Sequence, residues 1–96
     1  MIGVARYGDS ILTHSCGGSP HENVTITQGS DNVYLNNKEV AREGDLCICE
    51  DTLGGGSNNV FINNKSVARL NDPTTFHNGA CSFAKITSAS TNVFVN

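Results

Sequence analysis

Four side chains that can ligate a transition metal stand in two pairs along the chain, His14 with His21 and His77 with Cys81. Each pair spans a glycine-containing turn that lets both side chains converge. Three imidazole nitrogens and one thiolate sulfur form a closed tetrahedral set that suits zinc. The sequence therefore predicts one transition metal ion per chain, with zinc as the first choice and iron as the main competitor.

These pairs are placed by an internal repeat. Residues 32–45 read Asn-Val-Tyr-Leu-Asn-Asn-Lys-Glu-Val-Ala-Arg-Glu-Gly-Asp, and residues 59–72 return as Asn-Val-Phe-Ile-Asn-Asn-Lys-Ser-Val-Ala-Arg-Leu-Asn-Asp. A third copy is split, with its front half at 92–96 and its back half within 1–9. An open solenoid would instead carry atypical capping repeats at its ends. The pattern predicts one domain over 1–96, built as a pseudo-threefold ring that closes where the termini meet.

The repeat also matches the candidate ligands to one another. His14 and His77 each lie five residues after the aspartate that ends a repeat, and His21 and Cys81 each lie eleven residues before the asparagine that opens the next one. Equivalent positions in a threefold ring face the same axis, so the spacing predicts one shared site. The alternative is that the histidines are solvated in loops and the thiol is simply buried.

Three cysteines are left outside this set, Cys16, Cys47 and Cys49. We interpret them as buried thiols, with a replacement ligand as the alternative. Cys49 is the best placed substitute, four residues after Asp45. The segment that carries Cys49, residues 46–58, has no histidine and is predicted to be little more than a glycine-rich connector.

Each unit is predicted to be a β-hairpin. Its β-branched and aromatic residues favour a strand, and the Asn-Asn pair that follows suits a two-residue turn, because asparagine tolerates positive φ. Such a turn pairs Val33 with Val40 and Val60 with Val67, which defines a core face. The chain has no convincing helical periodicity. The predicted fold is therefore all-β, a compact conical domain of hairpins.

Aromatic side chains recur on the other face of these hairpins. Tyr34, Phe61 and Phe94 share one repeat position next to the core valines, so in a strand they point away from the core. Three large apolar side chains around one axis would form an exposed patch, and we predict that they bind a partner. The alternative is that loops from the neighbouring repeat cover them.

A sharp corner is predicted after each hairpin, where Arg-x-Gly-Asp recurs. Gly8, Gly44 and Asn71 occupy the same position in the three units, which indicates positive φ there. The arginine and aspartate of the motif are interpreted as an ion pair that braces the corner, in preference to a catalytic pair.

Composition excludes several classes of protein. The net charge is −3 and the six basic residues are scattered, which argues against binding nucleic acid. No apolar run approaches the roughly 20 residues that span a bilayer, and the N-terminus lacks a signal-peptide pattern. The protein is therefore expected to be made in the cytoplasm.

Catalysis is not expected. Four protein ligands leave a metal no open position for a substrate or a water molecule. Cys81 and His77 are a conceivable nucleophile pair, but the sequence shows no acidic or amide side chain to orient them.

The repeat Asn-Val-Phe-Ile-Asn-Asn-Lys-x-Val-Ala-Arg-x-Gly-Asp resembles the repeat of the PAAR-repeat family. The commoner sequence of that repeat is Asn-Val-x-Ile-Asn-Gly-Lys-Pro-Ala-Ala-Arg-x-Gly-Asp. The resemblance covers the whole chain. It departs from the family in Val-Ala-Arg for Pro-Ala-Ala-Arg, in Asn-Asn for Asn-Gly, and in a second segment without histidine.

The resemblance implies a function. Members form sharp tips on the trimeric β-helical spikes of contractile injection machines, with a zinc near the apex held by histidines and a cysteine. That ligand set carries over to His14, His21, His77 and Cys81. It implies a non-enzymatic tip, one copy per homotrimeric spike, that meets the target membrane only transiently and helps to pierce the cell envelope.

The same resemblance offers two settings for such a tip. The absence of the Pro-Ala-Ala-Arg motif and of a fused effector domain favours the baseplate of a contractile-tailed phage, where the tip would be part of the virion. The alternative is a type VI secretion spike tip, or an adaptor that recruits effector cargo to the spike.

Overall fold

The computed structural model describes residues 1–16, 19–47, 51–75 and 84–96 of the chain. This part is all-β, and it contains no helix that is long and apolar enough to cross a membrane. Its strands are short and form two-stranded antiparallel pairs. They are β1 Ile2–Gly3, β2 His14–Cys16, β3 Ser19–His21, β4 Tyr34–Leu35, β5 Lys38–Glu39, β6 Phe61–Ile62, β7 Lys65–Ser66 and β8 Phe94–Val95. The predicted all-β hairpin architecture is confirmed.

Two of the pairs, β4 with β5 and β6 with β7, are the predicted hairpins with Asn-Asn turns. Asn36 and Asn37 have φ values of 53° and 64°, and Asn63 and Asn64 have φ values of 55° and 64°. Positive φ at both central residues is what a type I′ turn requires, and this turn twists in the same sense as the strands it joins. The asparagines therefore determine both the length and the register of the hairpins.

The third unit closes the ring through the chain ends. Its strands are β8 and β1, with Ile2 opposite Val95 and Gly3 opposite Phe94. In all three units the N–H of the second valine donates to the carbonyl of the first at 3.0 to 3.1 Å, in the pairs Val40 to Val33, Val67 to Val60 and Val4 to Val93. The two ends of the chain thus replace a hairpin, as the split repeat predicts.

A closed ring of backbone hydrogen bonds joins the three units on the pseudo-threefold axis. The N–H of Ala5 donates to the carbonyl of Ala68 at 2.9 Å, that of Ala41 to Ala5 at 3.0 Å, and that of Ala68 to Ala41 at 3.0 Å. All three alanines are fully buried. Because three backbones converge on one axis, we expect the close packing to leave room there for little more than a methyl group. We call these residues the alanine ring.

The segments that connect the units build the larger apolar core on one side of the alanine ring, which we call the loop side. Its centre is formed by Ile26, Leu53 and Ile86, which are at most 1% exposed. Their N–H groups donate to the carbonyls of the three corner aspartates at 2.9 to 3.0 Å. Leu53 shows that the connector prediction for residues 46–58 was wrong, because this short segment supplies the same core residue as the two long ones.

A second apolar cluster lies on the opposite side of the alanine ring, which we call the hairpin side. Val4, Val40 and Val67 are 1–4% exposed and form its centre. The inward residues of the strand pairs, among them Leu35 and Ile62, pack against these valines. The predicted valine face of the hairpins is therefore core.

Replacing Ala41 with valine should lower the free energy of unfolding by about 1–3 kcal/mol, because the added methyl groups enter a fully packed axis. Urea unfolding measures the loss. Thr91→Ile, which replaces a hydroxyl with an ethyl group at an exposed position outside the ring, should change it by less than about 0.5 kcal/mol. Equal effects of the two substitutions would contradict the tight packing of the alanine ring.

Candidate functional site

The corner after each hairpin is braced by a bidentate ion pair. Nε of Arg42 donates to Oδ2 of Asp45 at 3.0 Å, Nη2 donates to Oδ1 at 2.9 Å, and the backbone N–H of Arg42 donates to the same Oδ2 at 2.7 Å. The same geometry recurs in Arg6 with Asp9 and Arg69 with Asp72. The hydrogen bonds to aspartate raise the pKa of all three guanidinium groups above their ordinary value. The predicted bracing role is confirmed.

A tight turn sets each of these pairs. Gly8, Gly44 and Asn71 have φ values of 87°, 91° and 73°. In every unit the N–H of the aspartate donates to the carbonyl of the arginine three residues earlier at 3.0 Å. Positive φ at the third position of such a turn is the requirement of a type II turn, which glycine and asparagine meet with least strain. The predicted left-handed corner is confirmed.

Each arginine also reaches the next unit, which the sequence did not reveal. Nη1 of Arg6 donates to Oδ1 of Asn36 at 3.0 Å, and Nη1 of Arg42 donates to Oδ1 of Asn63 at 2.9 Å. In the remaining unit, Nη1 of Arg69 donates to the backbone carbonyl of Asn96 at 2.8 Å. The arginines therefore couple each corner to the following strand pair and hold the three units together around the axis.

His14 is the predicted ligand whose side-chain environment the structure describes. It is 4% exposed, and its Nδ1 lies 2.8 Å from the carbonyl oxygen of Leu12. Because a carbonyl only accepts, Nδ1 carries the proton, and in the neutral ring the lone pair is on Nε2. A hydrogen bond of this kind is how proteins orient a metal-binding imidazole. Nε2 is thus the nitrogen through which His14 would ligate a metal ion.

The register of the strands brings the first predicted pair together. His14 is directly opposite His21 across β2 and β3. The backbones of these two residues are therefore adjacent. His77, Cys81 and Cys49 lie outside the described residues. Within the described ranges no three His, Cys, Asp or Glu side chains form a metal-binding group, so the four-ligand site stays a prediction.

The aromatic side chains on the hairpin side are open to solvent. Tyr34, Phe61 and Phe94 are 59%, 56% and 44% exposed. They alternate along the strands with residues that pack on the valine cluster, so they lie on the outer faces of the three strand pairs. We call them the aromatic girdle. Their role in binding a partner stays a prediction.

The inner faces of the same strand pairs line an apolar cavity of about 200 Å³. Its lining is almost wholly aliphatic and comes from all three units: Val4, Val33, Leu35, Val40, Val60, Ile62, Val67, Val93 and Val95, with Tyr34. The hairpin side therefore combines an aromatic exterior with an apolar hollow close to the axis.

The PAAR motif family model matches the chain twice, over residues 2–55 and 16–81. Together the two matches span most of the sequence. The chain belongs to the PAAR motif family. This is a structural family of spike-tip proteins from contractile injection systems, whose members assemble on a phage tail or a secretion spike. A search of curated proteins gives no significant match.

In this PAAR chain the Ala-Arg pair of each repeat has a physical explanation. The alanine closes the backbone ring on the axis, where its side chain is fully buried. The arginine braces its own corner and also binds the next hairpin. The alanine and arginine of the motif therefore join the three strand pairs around the axis.

One residue of the loop side was missed altogether. Asp51 is 1% exposed and takes the place that Val24 and Ala84 hold in the other two units. The signal was present in the spacing, because each of these residues lies eight positions before the asparagine that opens the next repeat. The short segment concealed it, since the lack of a histidine made the segment look like a plain connector.

Proposed function

We propose that this PAAR protein is a non-enzymatic, metal-stabilised tip that caps the trimeric β-helical spike of a phage tail baseplate and helps to pierce the target cell envelope. The alanine ring carries the proposal. A single chain with a closed pseudo-threefold axis presents nearly the same surface to each of three partner subunits. One chain can therefore sit on the end of a homotrimer without breaking its symmetry.

The hairpin side is the docking face in this proposal. It exposes the aromatic girdle around an apolar cavity, a combination that a free domain seldom keeps. Aromatic anchors that become buried usually dominate the affinity of an interface. The opposite side then points away from the spike and forms the apex.

The metal belongs to that apex. The buried and oriented imidazole of His14, with His21 opposite it, supplies the first pair of ligands. His77 and Cys81 supply the second pair. An ion held by four protein ligands stiffens loops that a small core cannot hold, and it has no open position for catalysis.

Native mass spectrometry of the chain mixed with candidate spike proteins tests the proposal. We expect one copy of this chain per three copies of a β-helical partner. Preferential capture by a phage spike supports the baseplate role, and capture by a secretion-system spike alone would move the same tip to that machine. Failure to bind any trimeric spike would contradict the proposal.

Replacing Phe61 with aspartate should abolish capture by the spike while metal content and melting temperature stay unchanged. The side chain is 56% exposed, so its loss costs the free domain little, whereas a buried charge would disrupt the interface. Pull-down with the trimeric spike measures the effect. The matched control is Leu46→Asp, the same kind of change at a side chain 44% exposed in the connecting segment. A folded Phe61→Asp protein that still binds one per trimer would place the docking face elsewhere.

A further inference from the structure

A carboxylate lies inside the loop-side core of one unit. The carbonyls of Val24, Asp51 and Ala84 accept equivalent backbone hydrogen bonds at 2.8, 2.9 and 3.2 Å, from Ile11, Cys47 and Thr74. Two of these three positions are aliphatic, and the third is an aspartate that is 1% exposed. Burial of a charge in an apolar layer is costly unless a function or a counter-charge compensates for it.

The contacts of this carboxylate join two connecting segments. Oδ1 of Asp51 accepts a hydrogen bond from the backbone N–H of Thr52 at 2.8 Å and from the hydroxyl of Thr75 at 2.6 Å. The hydroxyls of Thr52 and Thr75 are 3.0 Å apart. Asp51 is therefore oriented by the backbone of its own segment and ties the second segment to the beginning of the third.

The third segment is the one that carries predicted ligands. His77 follows Thr75 by two residues, and Cys81 follows it by six. Two residues span at most about 7 Å of extended chain, so the hydrogen bond from Thr75 to Asp51 holds the chain at a point close in sequence to His77. The segment without a histidine thus acts on the segment that has one.

We propose that Asp51 is a positioning residue of the metal site. It holds Thr75 at the beginning of the third segment and adds a buried negative charge to the loop side, which favours a divalent cation there over an empty site. The inference rests on the metal site of the proposed function. It explains why one unit keeps a buried carboxylate where its neighbours keep aliphatic side chains.

The proposal predicts that replacing Asp51 has different effects on the zinc-free and the zinc-bound protein. Asp51→Val copies the residue of the first unit, so the chelator-treated protein should melt at the same temperature as the parent or higher, because an apolar side chain suits that layer. The same substitution should weaken zinc binding about 10-fold to 100-fold, as is typical when a residue that supports a ligand is lost. A merely structural role would shift both states in the same direction.

Competition with a chromophoric chelator measures zinc affinity, and melting with and without zinc gives the second readout. Asp51→Asn keeps an acceptor for Thr75 but removes the charge, and Thr75→Val removes the hydrogen bond but keeps the charge, so each should lose part of the affinity. Val24→Ala is the control in the same layer and should lower the melting temperature equally with and without zinc.

Unchanged zinc affinity in Asp51→Val, or in Asp51→Asn if the valine variant does not fold, would overturn the inference. If the parent protein binds no zinc at all, it is the proposed metal site that fails. These two failures are distinguished by the titration of the parent protein alone.

Discussion

Replacing Arg42 with alanine is expected to lower the free energy of unfolding by about 3–5 kcal/mol, because Asp45 is fully buried and would lose its counter-charge. The loss extends beyond the pair. Arg42 also donates to Asn63 at 2.9 Å and to the carbonyl of Gly29 at 3.3 Å. Its removal therefore uncouples the β6–β7 hairpin from the corner formed by Arg42 and Asp45. Urea unfolding monitored by far-ultraviolet circular dichroism measures the effect.

The three units provide a graded control for this prediction. The side chains of Arg42, Arg6 and Arg69 are 9%, 14% and 19% exposed, and solvent screens an exposed pair more than a buried one. The destabilisation by alanine should therefore decrease in the order Arg42, Arg6, Arg69. Lys38→Ala, on an exposed strand, should change stability by no more than about 0.5 kcal/mol. A loss at Arg42 no larger than at Lys38 would show that the corner pairs do not hold the ring together.

Removal of the metal is expected to have the largest effect on stability. In small zinc domains, metal binding contributes about 10–16 kcal/mol of apparent free energy, because the site exists only in the folded state. We expect His77→Ala to abolish stoichiometric zinc binding and to lower the melting temperature strongly. A loss of only about 3 kcal/mol would correspond to roughly 12–24 °C in a domain of this size.

Inductively coupled plasma mass spectrometry of protein prepared without chelator measures the bound metal, and calorimetry measures the melting shift. Lys38→Ala is again the matched control and should retain full metal content. His14→Ala should behave like His77→Ala, since the two histidines hold equivalent repeat positions. Parent protein without a bound transition metal, or equal melting shifts in His77→Ala and Lys38→Ala, would remove the metal from the proposal.

The local geometry was predictable because it depends on residues close in sequence. Asn36 and Asn37 determine a type I′ turn, and the pairing of Val33 with Val40 follows from the turn length alone. Gly44 indicated the left-handed corner for the same reason, since few residues adopt positive φ without strain. The repeat itself indicated the ring, because complementary half-repeats at the two ends have to pair.

The candidate site was predictable only in part. Counting along the repeat matched His14 with His77, and the strands then placed His14 opposite His21, a backbone pairing within one short ladder. Asp51 was not predicted, because what makes this residue unusual is the environment of its side chain. An aspartate in a polar segment of sequence is ordinary, and the apolar layer that makes it unusual is assembled from three distant segments.

The sequence by itself thus determined the turns, the corners and the number of units, since these arise from backbone preferences that act over a few residues. Only the tertiary structure decided what meets on the axis. It placed Ala5, Ala41 and Ala68 in one hydrogen-bonded ring, directed each arginine to the next hairpin, and buried Asp51 where its neighbours are aliphatic. These contacts join residues far apart along the chain. They could not be predicted from the sequence because close packing, and not local backbone conformation, determines them.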